Sequence, residues 1–250
     1  LLRHVETVKT LVELEADIEA EGADGKRPLH FAALLGSVET VKTLVELEAD
    51  IEAADARGRR PLHAAAAYGH VDVVRTLVEL QADIEAEAED GARPLDVAAE
   101  VGEVETAMAL LELGANLHAT TVRGDTALQL ASTADTVRLL LEAGAELHLR
   151  NPAGVTPLFQ AVRAGHASAV TALVQAGAPR DASDFVLWTG LFVEAVGGNA
   201  EAVTTLVEAG EERDRRLEED GHFARSPLQL AELHTTPERR EELRSALADA

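Results

Sequence analysis

The chain has 250 residues, no cysteine, and 45 acidic against 22 basic residues, for a net charge of −23. A disulfide framework and a thiolate metal site are therefore excluded, and the charge has the wrong sign for gripping nucleic-acid phosphates or an anionic membrane surface. Apolar residues make up 46% but aromatics only 3%, and no run approaches the roughly 18 uninterrupted apolar residues of a membrane span. With no signal-peptide pattern at the start, the expectation is a soluble, intracellular chain of thin, closely stacked helices, in a compartment the sequence leaves open.

Taken in order, the chain begins inside a repeated unit, at Leu1, without an initiator methionine, and is expected to be a segment of something longer. Val5 to Ala20 returns unchanged at Val38 to Ala53. Landmark leucines Leu29, Leu62, Leu95 and Leu128 are 33 residues apart, and Leu158, Leu191 and Leu228 continue the series. A period in this range marks a repeat array, here of about seven and a half units. The unit at 57–89 shows the plan. Pro61 opens a helix at the position where its missing amide costs nothing, Leu62, Ala65 and Ala66 form a narrow apolar stripe, and Gly69 stops the helix in a left-handed conformation. Val71, Val74, Leu77 and Val78 then recur at helical spacing to near Gln81. The segment from Ala82 to the Asp90-Gly91 turn reads as an extended, turned finger.

These units resemble ankyrin repeats. The resemblance is carried by Pro28-Leu29-His30…Gly36, Pro61-Leu62-His63…Gly69-His70 and Thr156-Pro157-Leu158…Gly165-His166, and by Leu110 to Asn116 and Leu140 to Glu146 at the far end of the unit. It implies an all-α solenoid of stacked helix-turn-helix units with β-turn fingers, in one repeat domain over 1–250. The expected units are 1–23 (partial), 24–56, 57–89, 90–122, 123–152, 153–182, 183–218 (degenerate) and 219–250 (a polar C-terminal cap). Two departures recur. The helix-opening threonine is Arg27, Arg60 and Arg93 in three units, which removes a capping acceptor worth about 0.5–2 kcal/mol unless neighbours such as Asp24 and Asp90 replace it. The glycine after the second helix is Glu15, Glu48 and Gln81, where a left-handed residue with a side chain is less comfortable.

Further along, the interval after Leu128 is three residues short, and the loss is expected between the helices, at Ala131 to Asp135. The finger at 183–190 replaces the polar turn by Phe185-Val186-Leu187-Trp188, read either as local core or as an exposed anchor.

His30 and His63 stand at a register where the resemblance implies a structural histidine bonded to backbone across the stack. His118 and His148, on adjacent fingers, are too few and too far apart to hold zinc, so no metal or cofactor is expected. The ladder of Asp17, Asp50 and Asp83 with Glu19, Glu52 and Glu85 reads as a solvated acidic face, open to a basic partner or a loosely held divalent cation. No phosphate loop or nucleophile elbow appears. The resemblance implies a non-enzymatic scaffold, adaptor or peripheral subunit that binds protein through a concave groove and the fingers, and the net charge of −23 suits a basic patch on that partner. The candidate partner-binding residues are Lys26, Leu34, Leu35, Arg57, Arg59, Tyr68 and Arg163, with Ala56, Ala67, Asp125, Val155 and Ala164 beside them and Phe185, Val186, Leu187 and Trp188 on the aromatic finger. The alternative is a regulatory arm of a multidomain enzyme or channel.

Overall fold

The computed structural model describes residues 2–178. Among them are eleven helices and no strand: α1 (Leu2–Glu13), α2 (Pro28–Leu34), α3 (Val38–Glu46), α4 (Pro61–Ala67), α5 (Val71–Glu79), α6 (Pro94–Val101), α7 (Val104–Glu112), α8 (Ala127–Leu130), α9 (Ala134–Glu142), α10 (Pro157–Ala164) and α11 (Ala167–Gln175). The expected cap and the aromatic finger lie outside the described residues. The chain divides into two compact units, Leu1–Ala127 with Glu142–Ala145, and Leu128–Leu141 with Glu146–Ala250.

In the first unit, short first helices (α2, α4, α6) pack side by side, and longer second helices (α3, α5, α7) pack behind them. The apolar stripes meet in this layer: Leu29, Leu62 and Leu95 from the first helices, and Val41, Leu44, Val73, Val74, Leu77 and Leu110 from the second, are all buried. Small residues let the helices approach. Ala32, Ala33, Ala65, Ala66, Ala98 and Ala99 are buried throughout. Gly36 serves the same end, because a Cβ there would lie 2.7 Å from the His70 ring. In that space His70 Nε2 bonds to the Leu34 carbonyl at 2.8 Å.

Successive fingers are joined by one backbone bond each. Ala56 N–H donates to Asp24 O, Glu89 N–H to Arg57 O and Val122 N–H to Asp90 O, all at 3.0 Å. The duplicated stretch shows how much of this order comes from neighbours rather than from sequence. In the second copy Leu44 is 2% exposed, whereas its twin Leu11 in α1 is 49% exposed.

In the second unit, α10 packs on α11 around Leu158, Val162, Val170 and Leu173. The short interval is resolved differently from expectation. The link from α8 to α9 is three residues, 131–133, as is the link 35–37 from α2 to α3; the missing residues come from α8, which has four residues where α2 has seven. Thr133 Oγ1 accepts the Thr136 amide at 3.2 Å and caps α9. Cutting a helix by nearly one turn keeps the link and the following register intact.

Candidate interaction surface

The finger that precedes each first helix sets the chemistry of the surface beside it. In the first unit the helix-opening position is arginine, which has no acceptor to offer. The helix start is completed from the other side. His30 Nδ1 accepts the Arg27 amide at 3.2 Å, His63 Nδ1 accepts the Arg60 amide at 3.0 Å, and Asp96 Oδ2 accepts the Arg93 amide at 2.9 Å. Asp24 and Asp90 do not cap the helices, as had been expected. Their carboxylates bind within the turn, Asp24 to Lys26 and Asp90 to the Ala92 amide at 3.1 Å.

Freed from capping, the arginine side chains reach the fingers. Arg27 pairs with Glu19 at 2.8 Å and Glu21 at 2.9 Å, Arg60 with Glu52 at 3.6 Å, and Arg93 with Glu85 at 3.2 Å and with Glu87. The same glutamates also hold the next finger. Glu19 accepts the Asp50 amide at 2.8 Å, Glu52 the Asp83 amide at 2.8 Å and Glu85 the Asn116 amide at 2.7 Å. Asp17, Asp50 and Asp83 close local turns by accepting the amide two residues on, at 2.9 Å each. The half-buried glutamates of the acidic ladder are therefore internal clips between repeats, while Asp17, Asp50 and Asp83 stay exposed as the solvated part of the face. Among the described residues no group of three or more potential ligands could hold a metal ion.

The histidines act as the resemblance implied. Because Nδ1 accepts a backbone amide, each ring is neutral with its proton on Nε2, which donates across the stack: His30 to Arg59 O and His63 to Ala92 O, both at 3.0 Å. Burial pushes the His63 imidazole down to about 4 and lowers His30 as well. Two repeats beyond His63, Gln129 Nε2 donates to Val155 O at 2.7 Å. Asp96 holds the same register and is 2% exposed; burial pushes its carboxyl up to about 7.

Of the candidate binding residues, Leu35 (73% exposed) and Tyr68 (56%) stand out from the ends of α2 and α4. Val101, which sequence reasoning passed over, takes the same place on α6 and is 48% exposed. Its place 33 residues beyond Tyr68 was the available signal. Phe31, one turn earlier on α2, is 45% exposed. Arg57, Ala56, Arg163 and Ala164 are exposed, and Lys26, Arg59, Leu34 and Ala67 half-buried. Asp125 and Val155 are buried, because the finger backbone at these positions turns back to pair within itself: Thr121 N–H donates to Asp125 O and Asn151 N–H to Val155 O. Phe185, Val186, Leu187 and Trp188 lie outside the described residues. Leu35, Tyr68 and Val101 thus form a row across neighbouring first helices. Arg57 and Arg59 stand on the finger beside it, while Arg163 belongs to the second unit.

A repeat array of helix pairs and turned fingers, whose exposed side chains vary over a constant frame, defines the class of repeat modules that generally serve protein–protein interaction. The chain matches the family model for ankyrin repeats over residues 2–88, 54–121, 95–185 and 128–216; it belongs to the ankyrin-repeat family. No curated protein matches it. Among the described residues no helix is long and apolar enough to cross a membrane.

Proposed function

We propose that the chain works without catalysis, as an adaptor or fixed subunit whose first helices and finger tips bind a protein partner. The observation that carries this reading is the row of Leu35, Tyr68 and Val101. Three apolar side chains at one register stay in water, with Phe31 exposed one turn earlier, while the leucines Leu29, Leu62 and Leu95 of the same helices are buried, and a rigid frame of this kind binds at little conformational cost. Affinity purification with mass spectrometry tests it, using the wild-type chain and a Leu35→Ser, Tyr68→Ser variant of equal thermal stability. A defined partner recovered with the wild type and lost with the variant is expected; partners indifferent to the variant would reject the inner face.

Two further features support neighbouring readings. The second helices carry exposed Glu39, Glu46, Glu79, Glu105 and Glu112, which suit a basic patch on an assembly partner. Leu11 in α1 and Leu14 in the turn after it (74% exposed) show apolar surface that the identical sequence buries or half-buries in α3 and its following turn, which suits the alternative of a regulatory arm packed against further protein.

A further inference from the structure

Five arginines of the first two fingers, the second helices and the third finger have carboxylate partners: Arg27, Arg60, Arg75, Arg93 and Arg138. Arg57 and Arg59 do not. Among the described residues no carboxylate lies within ion-pair distance of either guanidinium, although the chain carries 45 acidic residues. At the tip itself the carboxylate is Asp55, whose Oδ1 is taken up by the amides of Arg57 at 2.8 Å and Arg59 at 2.9 Å.

The backbone beneath them is held at every polar group. Gly58 N–H donates to Asp55 O at 2.9 Å, and Asp55 N–H donates to Arg59 O at 2.9 Å. Arg57 O accepts from Glu89 N–H at 3.0 Å, Gly58 O from the Arg60 guanidinium at 3.0 Å, and Arg59 O from His30 at 3.0 Å. Gly58 has φ +72°, and a Cβ there would lie 2.9 Å from the Glu89 amide nitrogen. The tip is a fixed platform carrying two cations that no carboxylate holds in an ion pair, with Asp55 on their amides and the Glu89 side chain against Gly58.

Beside the platform lies the apolar row. Nine positions separate Arg59 from Tyr68, most of them in α4, so at ~1.5 Å per helical residue the cations and the tyrosine are roughly 14 Å apart along the chain. Leu35 and Val101 flank Tyr68 on the neighbouring helices, at ~8–10 Å per helix layer.

We propose that the Arg57–Gly58–Arg59 tip and the Leu35–Tyr68–Val101 row together receive an acidic, apolar peptide segment of the partner protein. This rests on the inner-face reading above. Its carboxylates meet Arg57 and Arg59 in charge-assisted, bidentate bonds, and an apolar or aromatic residue roughly 14 Å away covers Tyr68. That separation is about four residues in an extended segment or about nine in a helix. The net charge of −23 repels long polyanions at a distance, whereas a contact pair at the tip is screened less than that long-range field. The surface therefore favours a segment with one or two carboxylates over a nucleic acid.

A random 16-residue peptide display library, panned on the intact chain, tests the pairing. Four proteins are compared: wild type, Arg57→Ser with Arg59→Ser, Leu35→Ser with Tyr68→Ser, and Lys9→Ser with Lys42→Ser, which removes the same charge from the second-helix side. The thermal midpoints of all four must agree. Peptides combining Asp or Glu with an apolar residue at one of the two spacings are expected from the wild type and the lysine variant. The arginine variant should bind a recovered peptide about tenfold more weakly, and Leu35→Ser with Tyr68→Ser should abolish binding. A basic consensus, a pool that binds the arginine variant equally well, or no enrichment overturns the inference. If recovered peptides need Tyr68 but ignore Arg57 and Arg59, the inner-face reading survives and the acidic-segment inference falls; if they need neither, both fall.

Discussion

The finger-to-helix junctions at 19–27, 52–60 and 85–93 and those at 118–126 and 148–156 do the same job with different chemistry. The early three place glutamate on the finger and arginine at the helix start; the later two place histidine and threonine at the same positions (Glu19, Glu52 and Glu85 against His118 and His148; Arg27, Arg60 and Arg93 against Thr126 and Thr156). In the later type the threonine caps its own helix, Thr156 Oγ1 accepting the Phe159 amide at 3.2 Å. In the early type that acceptor is missing, and arginine instead anchors a glutamate that holds the next finger. The two residues change together because neither is useful alone. A glutamate without the arginine is an extra charge in an acidic array, and an arginine without the glutamate is a partly buried, unpaired cation.

The largest effect expected at these junctions is at Asp96, the one early junction where the reciprocal acceptor is neither histidine nor glutamine. Its carboxyl is pushed up to about 7 by burial, so below the ordinary carboxylate value near 4 folded and unfolded chains are both protonated and nothing is lost. As pH rises from about 4 through 7 the unfolded chain ionises first, and stability falls. His63 runs the other way. Its imidazole, pushed down to about 4, contributes fully above about 6.5 and loses that contribution as pH falls toward 4. Over this window the two slopes oppose each other. Asp96→Asn keeps an acceptor for the Arg93 amide and adds a donor like that of Gln129. It should stabilise the chain by about 2–4 kcal/mol at pH 8 and scarcely at all at pH 4. Urea denaturation at both pH values reads this directly, and an equal gap at the two would refute the buried-carboxyl account. His63→Gln should weaken the opposing slope, of which buried His30 keeps a share, and so shift the balance toward greater stability on acidification from pH 6.5 to 4.

A smaller effect is expected from the clips themselves. Glu52→Ala removes both the Asp83 amide bond and the Arg60 pair, and should cost about 1–2 kcal/mol, since the site is partly solvated. His118→Ala, at the matching and exposed position, should stay within about 0.5 kcal/mol. A double-mutant cycle of Glu52→Ala with Arg60→Ala should return a coupling of about 0.5–1 kcal/mol that shrinks in high salt. Equal costs at Glu52 and His118 would dissolve the distinction between the two kinds of junction.

Much of this frame was legible in the residues because periodicity repeats the same physical decision. Pro28, Pro61, Pro94 and Pro157 open helices, the buried leucines fall at the landmark registers, and Glu15, Glu48 and Gln81 do take left-handed φ values of 64°, 67° and 73°. What escaped were decisions made between repeats. The loss of a capping acceptor at Arg27, Arg60 and Arg93 could be read, but its compensation lies eight residues back and 31 residues on through Glu19, Glu52 and Glu85. A list of like charges at finger positions therefore reads as an acidic face. Asp125 and Val155 belong to the same class of error, since a variable register does not reveal that their side chains are buried. Arg57 and Arg59 were recognisable as variable positions. That they are unpaired depends on where every carboxylate nearby is already engaged.

The finest contrast lies at the residue that ends each second helix. In the early repeats a side chain is tolerated there because φ of 64–73° falls close to the narrow left-handed region open to L residues, at a cost of about 1–2 kcal/mol. Gly114, Gly144 and Gly177 turn further, to 97°, 101° and 87°, beyond that region. The space around them is open, since a Cβ on Gly144 would meet nothing within 4 Å. Any penalty for a side chain at that position is therefore one of backbone conformation and not of packing. Glu48→Gly should relieve strain but add freedom to the unfolded chain, for a net gain of about 0.5 kcal/mol. Gly144→Glu should cost more than that gain, about 1–2 kcal/mol, because the backbone must close by some 30° to reach an allowed well. Thermal denaturation of the two exchanges, each made in the intact chain, measures the asymmetry. Equal and opposite shifts would mean that the later glycines are only permissive, and that the two sets of repeats end their helices in the same way.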